Sequence, residues 1–410
     1  MKQYDTLSRD EMLKFASGHI FSAGINDSAN ELCVANMKFG LAKIQYTQNS
    51  LGFEPNATFL GAPDATVTRN LLRWKNGMGY GGKLAWGDGT ADLLILDSMS
   101  NACGMLVGGL ESLPSMDSLL DRVGEILSHQ EIIDGIPIEW DFAASNHFID
   151  LFKYIPSSED ADRPYDYAFI IHGSVPELKG DNPSKYEFGL YPHKSTILKE
   201  MVEIVDTPFG DIQVLTGDDA KKYLEFENYA CDLSKRKRVK AAKELFGNFV
   251  EITNPIHQSL INMNEHILGC QNTKDSTTDG LFPIALRADL PAYLVRGNPS
   301  YDEEIIEHLG FTKRAEKYGV MSRLLNANIL PHGGGYKFPA ILGVRNVIES
   351  GTGTRYFVTE LATGHESEKT FSNAREIQFA YRGQEVYRRS LDLNLCDTVA
   401  RLMPRIVLKI

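Results

Sequence analysis

A histidine stands directly before three glycines in LPHGGGYKFP, residues 330–339, giving His332, Gly333, Gly334 and Gly335. A neutral imidazole is a competent nucleophile or base near pH 7. Consecutive glycines let the backbone adopt positive φ and bring main-chain N–H groups close to a phosphate. The same string also suits an ordinary tight turn. Four further groups have metal-ligand character: Cys103 in DSMSNACGM, His147 in ASNHFIDLF, His172 after YAFII, and His257 in TNPIHQSL. Each lies at the end of an apolar run or against one. A thiolate with imidazoles suits a divalent transition metal, and strand ends are rigid platforms from which to present them. No two are close enough in sequence to make a short-range ligand pair. Taken singly, each reads more readily as a satisfied core histidine or an inert buried cysteine.

The elements that would have to position these groups read as an α+β pattern. Short β-like runs (ADLLILDSM, YAFIIHGSV, PAYLVRG, FPAILGV, RYFVTEL) alternate irregularly with helical patterns at about 115–130, 236–249 and 302–328. There is no internal repeat, low-complexity tract or Pro/Ser-rich linker, so a single domain over residues 1–410 is expected. Surface loops are expected at PSSEDADRP, 156–164, and at GDNPSKYEFGLYPHK, 180–194.

At 410 residues, 43% apolar and 23% charged, the chain can bury a large core. It has no apolar run of membrane-spanning length, and its first fifteen residues mix charges of both signs, so neither export nor membrane insertion is expected. Five scattered cysteines without a Cys-x-x-Cys pair argue against a disulfide framework or zinc ribbon and for a reducing, cytoplasmic setting. A net charge of −12 excludes bulk attraction to nucleic acid, though not a local basic groove. The candidate for such a groove is SKRKRVKAAKELF, 234–246, read as a helix N-capped by Ser234 with six cations that form either a solvated face or a nucleic-acid contact.

The order of motifs adds a resemblance. Cys-Gly-Met after an Asp-bearing strand, Asn-His-Phe-x-Asp, His-Gly-Ser, a His in the helix-like HQSLINMNEH and His-Gly-Gly-Gly follow one another as do the motifs of the RtcB family of RNA ligases. The C-terminal FAYRGQEVY and DTVARLMPRIVLKI resemble that family's last two motifs, so the likeness covers roughly residues 70–410. It implies an RtcB-like α+β fold whose central β-sheets enclose a metal-containing site with two manganese ions. Cys103 would bridge the two ions, His172 and His257 would complete one site, and His147 would hold the other with an Asp. His332 would attack the α-phosphate of GTP. Asn146, Asp150, Lys274, Ser300 and the three glycines would contact the guanylate, with Tyr381 stacking on the base and Lys409 bonding to it. The implied reaction joins RNA ends bearing a 2′,3′-cyclic phosphate or 3′-phosphate to 5′-hydroxyl ends, in RNA repair or tRNA splicing, and leaves room for a protein activator.

Three departures from that pattern bear on function. The family's aspartate three residues before the cysteine is Ser100, so Asp97 becomes the acid only if the loop carries an insertion. The segment where the family has an acid and a histidine before glycines reads RWKNGMGYGG, 73–82, with neither. The family's arginine after the His-Gly-x-Gly run is Tyr336, and few other phosphate-binding cations remain. A cyclic phosphodiesterase that never ligates, and a catalytically silent relative that binds RNA ends, are therefore the alternative expectations.

Overall fold

The computed structural model of the chain describes residues 4–158, 165–298, 301–363 and 366–409. Its dominant feature is a 12-stranded sheet. In spatial order the main path runs Ile20–Ser22, Thr58–Thr66, Tyr80–Ala85, Glu265–Leu268, Ile256–Asn262, Cys103–Leu110, Tyr167–Gly173, Phe148–Pro156, Cys396–Leu408, Ala292–Gly297 and Leu281–Ile284, and Val250–Thr253 also pairs with Cys103–Leu110. Only the first pairing is parallel. The central strands are buried on both faces, which is why they read in sequence as continuous apolar runs rather than as alternation.

Helices cover the sheet, and the architecture is mixed α+β as expected. Ser28–Ser50 is capped by Asp27, whose carboxylate accepts the N–H groups of Ala29 and Asn30 at 3.1 Å each, and it is buried along most of its length. A 30-residue helix, Gly217–Phe246, packs on the Cys103–Leu110 and Ile256–Asn262 strands. The expected helix at 115–130 is present as Met116–Ser128, and the pattern at 302–328 is broken by Gly310 and Gly319 into Glu303–His308, Thr312–Tyr318 and Met321–Leu325.

Two expectations are corrected. Ser234 is not an N-cap: the helix begins at Gly217, and the buried Ser234 hydroxyl donates to the Ala102 carbonyl at 2.7 Å. The basic run therefore splits by helical period. Lys237 and Arg238 turn into the core beside Ser234, while Lys235, Arg236, Lys240 and Lys243, together with Lys274, line a groove of about 800 Å³. The 180–194 segment has no regular structure, but it is no surface loop, because Phe188, Leu190 and Tyr191 belong to the core. Of the other expected loop, residues 157–158 follow the strand that ends at Pro156, and 159–164 lie outside the described residues. All five cysteines are free, and among the described residues no helix is long and apolar enough to cross a membrane.

Glu227, on the buried face of the long helix, accepts the Leu260 N–H at 2.6 Å, and burial pushes its carboxyl up to about 7. Because the folded value lies above the unfolded one, the folded chain holds this proton more tightly. The stabilising contribution is full at low pH and is lost as pH rises through about 7. Glu227→Gln should therefore gain on wild type by on the order of 2 kcal/mol between pH 5 and pH 8. Denaturant unfolding of both proteins at the two pH values checks this, and a pH-independent difference refutes it.

Candidate metal centre

Four neighbouring strands of the sheet end at one place. Cys103 opens its strand, and His172 stands opposite Met105 on one side and Phe148 on the other, which puts His147 just beyond the next strand's start. On the opposite flank Ile256 pairs with Gly104 and Gln258 with Cys103. His257 is the extra residue of this β-bulge, a device that redirects a side chain out of the normal alternation. The cluster is tight: Cys103 Sγ lies 3.3 Å from His147 Nε2 and 3.0 Å from His172 Nε2, and His172 Nε2 lies 3.2 Å from His257 Nε2. All four residues are buried.

The imidazoles are oriented from behind. His172 Nδ1 faces the Asn146 carbonyl at 3.1 Å, and His147 Nδ1 faces the Asp141 carbonyl at 3.1 Å and the Asp141 carboxylate at 3.0 Å. With Nδ1–H donated, His172 presents the bare lone pair of Nε2 to the cluster, the arrangement that metal-bound histidines share, and His147 would do so once a cation took the place of its second proton. Burial first, and then neighbouring imidazoles, drive His172 and His257 well below the usual histidine range, so both are neutral at pH 7. Burial opposes charge on His147 too, but Cys103 and Asp141 outweigh it and raise that ring to about 10. The neighbours that hold a proton there would equally hold a cation.

The donor set of Cys103, His147 and His172 fits one transition-metal ion, with His257 at its edge beside His172. Ligand atoms around a tetrahedral ion with metal–N and metal–S bonds near 2.0–2.3 Å stand about 3.3–3.7 Å apart, close to the separations above. The atoms of Cys103, His147 and His172 all lie within 4.8 Å of one another. Sulfur and nitrogen donors favour borderline or soft ions. Among the described residues no carboxylate joins this group.

Asp97 is a correction in this respect. It sits in the Leu96–Ser98 turn, where Oδ2 pairs with buried Lys43 at 2.9 Å and Oδ1 accepts the Gln213 N–H at 3.3 Å. Its charge is consumed by Lys43, which would otherwise be a lone buried ammonium. Ser100, in the place where the resemblance expects an acid, donates its hydroxyl to the Gln258 carbonyl at 3.0 Å.

The acid at the cluster's edge is Asp64, which the reading of the sequence missed. It lies in the wholly buried Thr58–Thr66 strand, is 1% exposed, and places Oδ2 3.0 Å from His332 Nδ1, while Oδ1 has no partner. A lone carboxylate inside the apolar run ATFLGAPDATV was the available signal. His332 packs against His257 with ring centroids 4.6 Å apart and meets the edge of Tyr80 at 5.8 Å. With Nδ1–H donated to Asp64, its Nε2 is left as a base or nucleophile.

Asp141 was also missed. Besides orienting His147, it accepts the Ser174 N–H at 3.0 Å and hydroxyl at 2.8 Å and lies 3.6 Å from Lys237. Although burial raises it, these partners hold its carboxyl well below the usual range. The helix supplies a second buried cation: Arg238 donates to Asn254 Oδ1 at 2.8 Å, Ser234 Oγ at 2.7 Å and the Gly173 carbonyl at 3.2 Å. Gly104 is required there, because a Cβ would stand 2.6 Å from that guanidinium and 2.4 Å from the Pro255 carbonyl.

The remaining expected contacts are dispersed. Asn146 serves through its carbonyl, as described. Asp150 faces no partner through Oδ1, and burial raises it to about 7. Lys409 donates to the carbonyls of Ser145 and, at 3.4 Å, His147, and so pins the loop that presents His147. Tyr381 pairs with Tyr336 in a two-stranded ladder, with rings 5.3 Å apart. Lys274 points to Asn326 Oδ1 at 3.3 Å in the groove beside the long helix. Ser300 lies outside the described residues. The three glycines after His332 are needed for packing: Cβ atoms there would stand 2.5 Å from the carbonyl oxygens of Ala285, Arg382 and Asp64 in turn, and Gly335 has φ +64°.

No protein-family model matches the chain, and no curated protein is significantly similar to it.

Single replacement of Cys103, His147 or His172 by Ala should lower bound metal, read by elemental analysis, and Asp141→Asn should weaken metal affinity about 10- to 100-fold. Asp97→Asn should leave metal content unchanged yet destabilise the fold by about 3 kcal/mol or more, since it strands the buried Lys43. Loss of metal in Asp97→Asn would reinstate that carboxylate as a ligand.

Proposed function

We propose that the chain is a divergent, GTP- and metal-dependent RNA ligase of the RtcB type, joining 3′-phosphate or 2′,3′-cyclic phosphate ends to 5′-hydroxyl ends. The observation that carries this reading is the placement of His332, whose Nδ1 is held by a buried carboxylate and whose ring packs on His257 of the metal cluster. A nucleophile oriented by a third group, beside a cation that neutralises phosphate charge, is what nucleotidyl transfer requires.

In this reading His332 Nε2 attacks the α-phosphorus of GTP. A P–N bond forms, the bond to the β-phosphate oxygen breaks, and pyrophosphate leaves while the Nδ1 proton stays shared with Asp64. The metal, manganese by the resemblance, supplies electrostatic stabilisation of the phosphate. Its ligands here would be Cys103, His147 and His172, with His257 beside them. The guanine would lie on the aromatic group of Tyr336, Phe379 and Tyr381, where the Arg69 guanidinium already stacks 4.5 Å from the Phe379 ring. The RNA 3′-phosphate then takes the guanylate as the P–N bond to His332 breaks, and attack by the 5′-hydroxyl on that 3′-phosphorus forms the phosphodiester and expels GMP.

His332→Ala should keep its metal and form no covalent adduct with GTP labelled at the α-phosphate. Wild type should form one that is labile to acid and stable to alkali. Tyr381→Ala should raise the GTP concentration needed by roughly five- to tenfold, the worth of one stacked base. A wild type that opens a cyclic phosphate but forms no adduct is a phosphoesterase, and one that does neither is a binding relative.

A further inference from the structure

We propose that Arg73 forms an anion subsite beside the cluster, one that takes the phosphate of the substrate in place of the cations that the sequence pattern lacks. This rests on the reading of the site as one that handles phosphate esters, and it adds the group that grips the phosphate.

Arg73 belongs to the short Leu71–Lys75 helix, inside the RWKNGMGYGG segment. It is 7% exposed, yet it has no ion pair with any described carboxylate. One nitrogen, Nη2, donates to the Met99 carbonyl at 2.5 Å, while Nε is buried without a partner. Met99 opens the turn that leads into Cys103, and both Met99 and Ala102 are left-handed. The guanidinium is thus tied to the loop that presents the cluster's sulfur. Its carbon lies 5.8 Å from the centre of the Tyr80 ring, and the same ring meets His332 at 5.8 Å. Arg73 therefore links the turn that leads into Cys103 to the Tyr80 ring that meets His332.

A buried guanidinium with unspent donors is costly unless something anionic completes it. The only structural duty its observed bonds show is the single bond to Met99, and a neutral donor could fill that role. An arginine fork presents paired N–H groups that match two oxygens of one phosphate.

Titration calorimetry with inorganic phosphate, on the full chain as purified and again after treatment with a chelator, tests the assignment. Wild type should bind phosphate, and Arg73→Gln should weaken that binding at least tenfold while metal content and unfolding midpoint stay at wild-type values. Arg73→Lys, which keeps the charge and loses the fork, should weaken it three- to tenfold and covers the case in which the Gln variant does not fold. Arg345→Gln, an exposed cation on the Ile341–Glu349 strand, controls for net charge and should leave phosphate binding unchanged. Phosphate affinity unaltered in both Arg73 variants, or no binding by wild type, overturns the proposal. So does loss of metal together with phosphate in Arg73→Gln, because Arg73 would then act only by holding the Cys103 turn. Arg73-dependent phosphate binding in a protein that never forms the His332 adduct would instead retire the ligase reading and leave this subsite standing.

Discussion

Everything at the site depends on the register of four antiparallel strands. Met105 and Phe148 flank His172 across two ladders, and a bulge inserts His257 between the partners of Gly104 and Cys103. Because side chains alternate faces, a slip of one residue in either ladder would turn His172 away from Cys103. Burial on both faces of these strands makes such slips expensive, so the core that stabilises the sheet also fixes the spacing of sulfur and nitrogen to about 3 Å.

That precision carries an electrostatic cost, which the long helix meets with buried charge. Lys237 lies 3.2 Å from Glu177 and 3.6 Å from Asp141, and Arg238 reaches the carbonyl of Gly173 and the vicinity of Gly104. Burial raises Glu177 to about 7 even beside Lys237. Against burial, Asp141 instead stays ionised, because its contacts with His147, then Lys237 and the Ser174 hydroxyl, reward the charge. The result is a chain of contacts from a helix cation, Lys237, through the Asp141 carboxylate to the His147 imidazole.

The same economy governs the acids. Asp97 and Asp64 are both buried, yet one neutralises Lys43 and the other orients His332. Their different duties come from the nearest cation or donor, since the residue type is the same. The group that could hold a metal ion, one sulfur and two imidazoles from Cys103, His147 and His172, includes no carboxylate among the described residues, and such donors suit borderline ions better than hard ones.

By itself the sequence determined the α+β class, two strands of the large sheet, Tyr167–Gly173 and Ala292–Gly297, the free cysteines and the groups worth watching, because apolar runs and rare chemical types are local properties. Cys103, His147 and His172 were legible as groups of ligand chemistry beside apolar runs, and His332 as a histidine beside freely turning backbone, whereas the helix-like segment of His257 is a strand. Their convergence was not legible, since it is set by pairing between strands as far apart as residues 103 and 257. The helix at Ser28–Ser50 escaped notice because it is buried nearly all round and so shows little polar periodicity. Only tertiary structure could tell Lys237 and Arg238 from their solvated neighbours, or assign Asp64 rather than Asp97 to the site. A charged side chain's role depends on which opposite charge or lone pair the fold sets within about 3 Å of it, and no one-dimensional pattern encodes that distance.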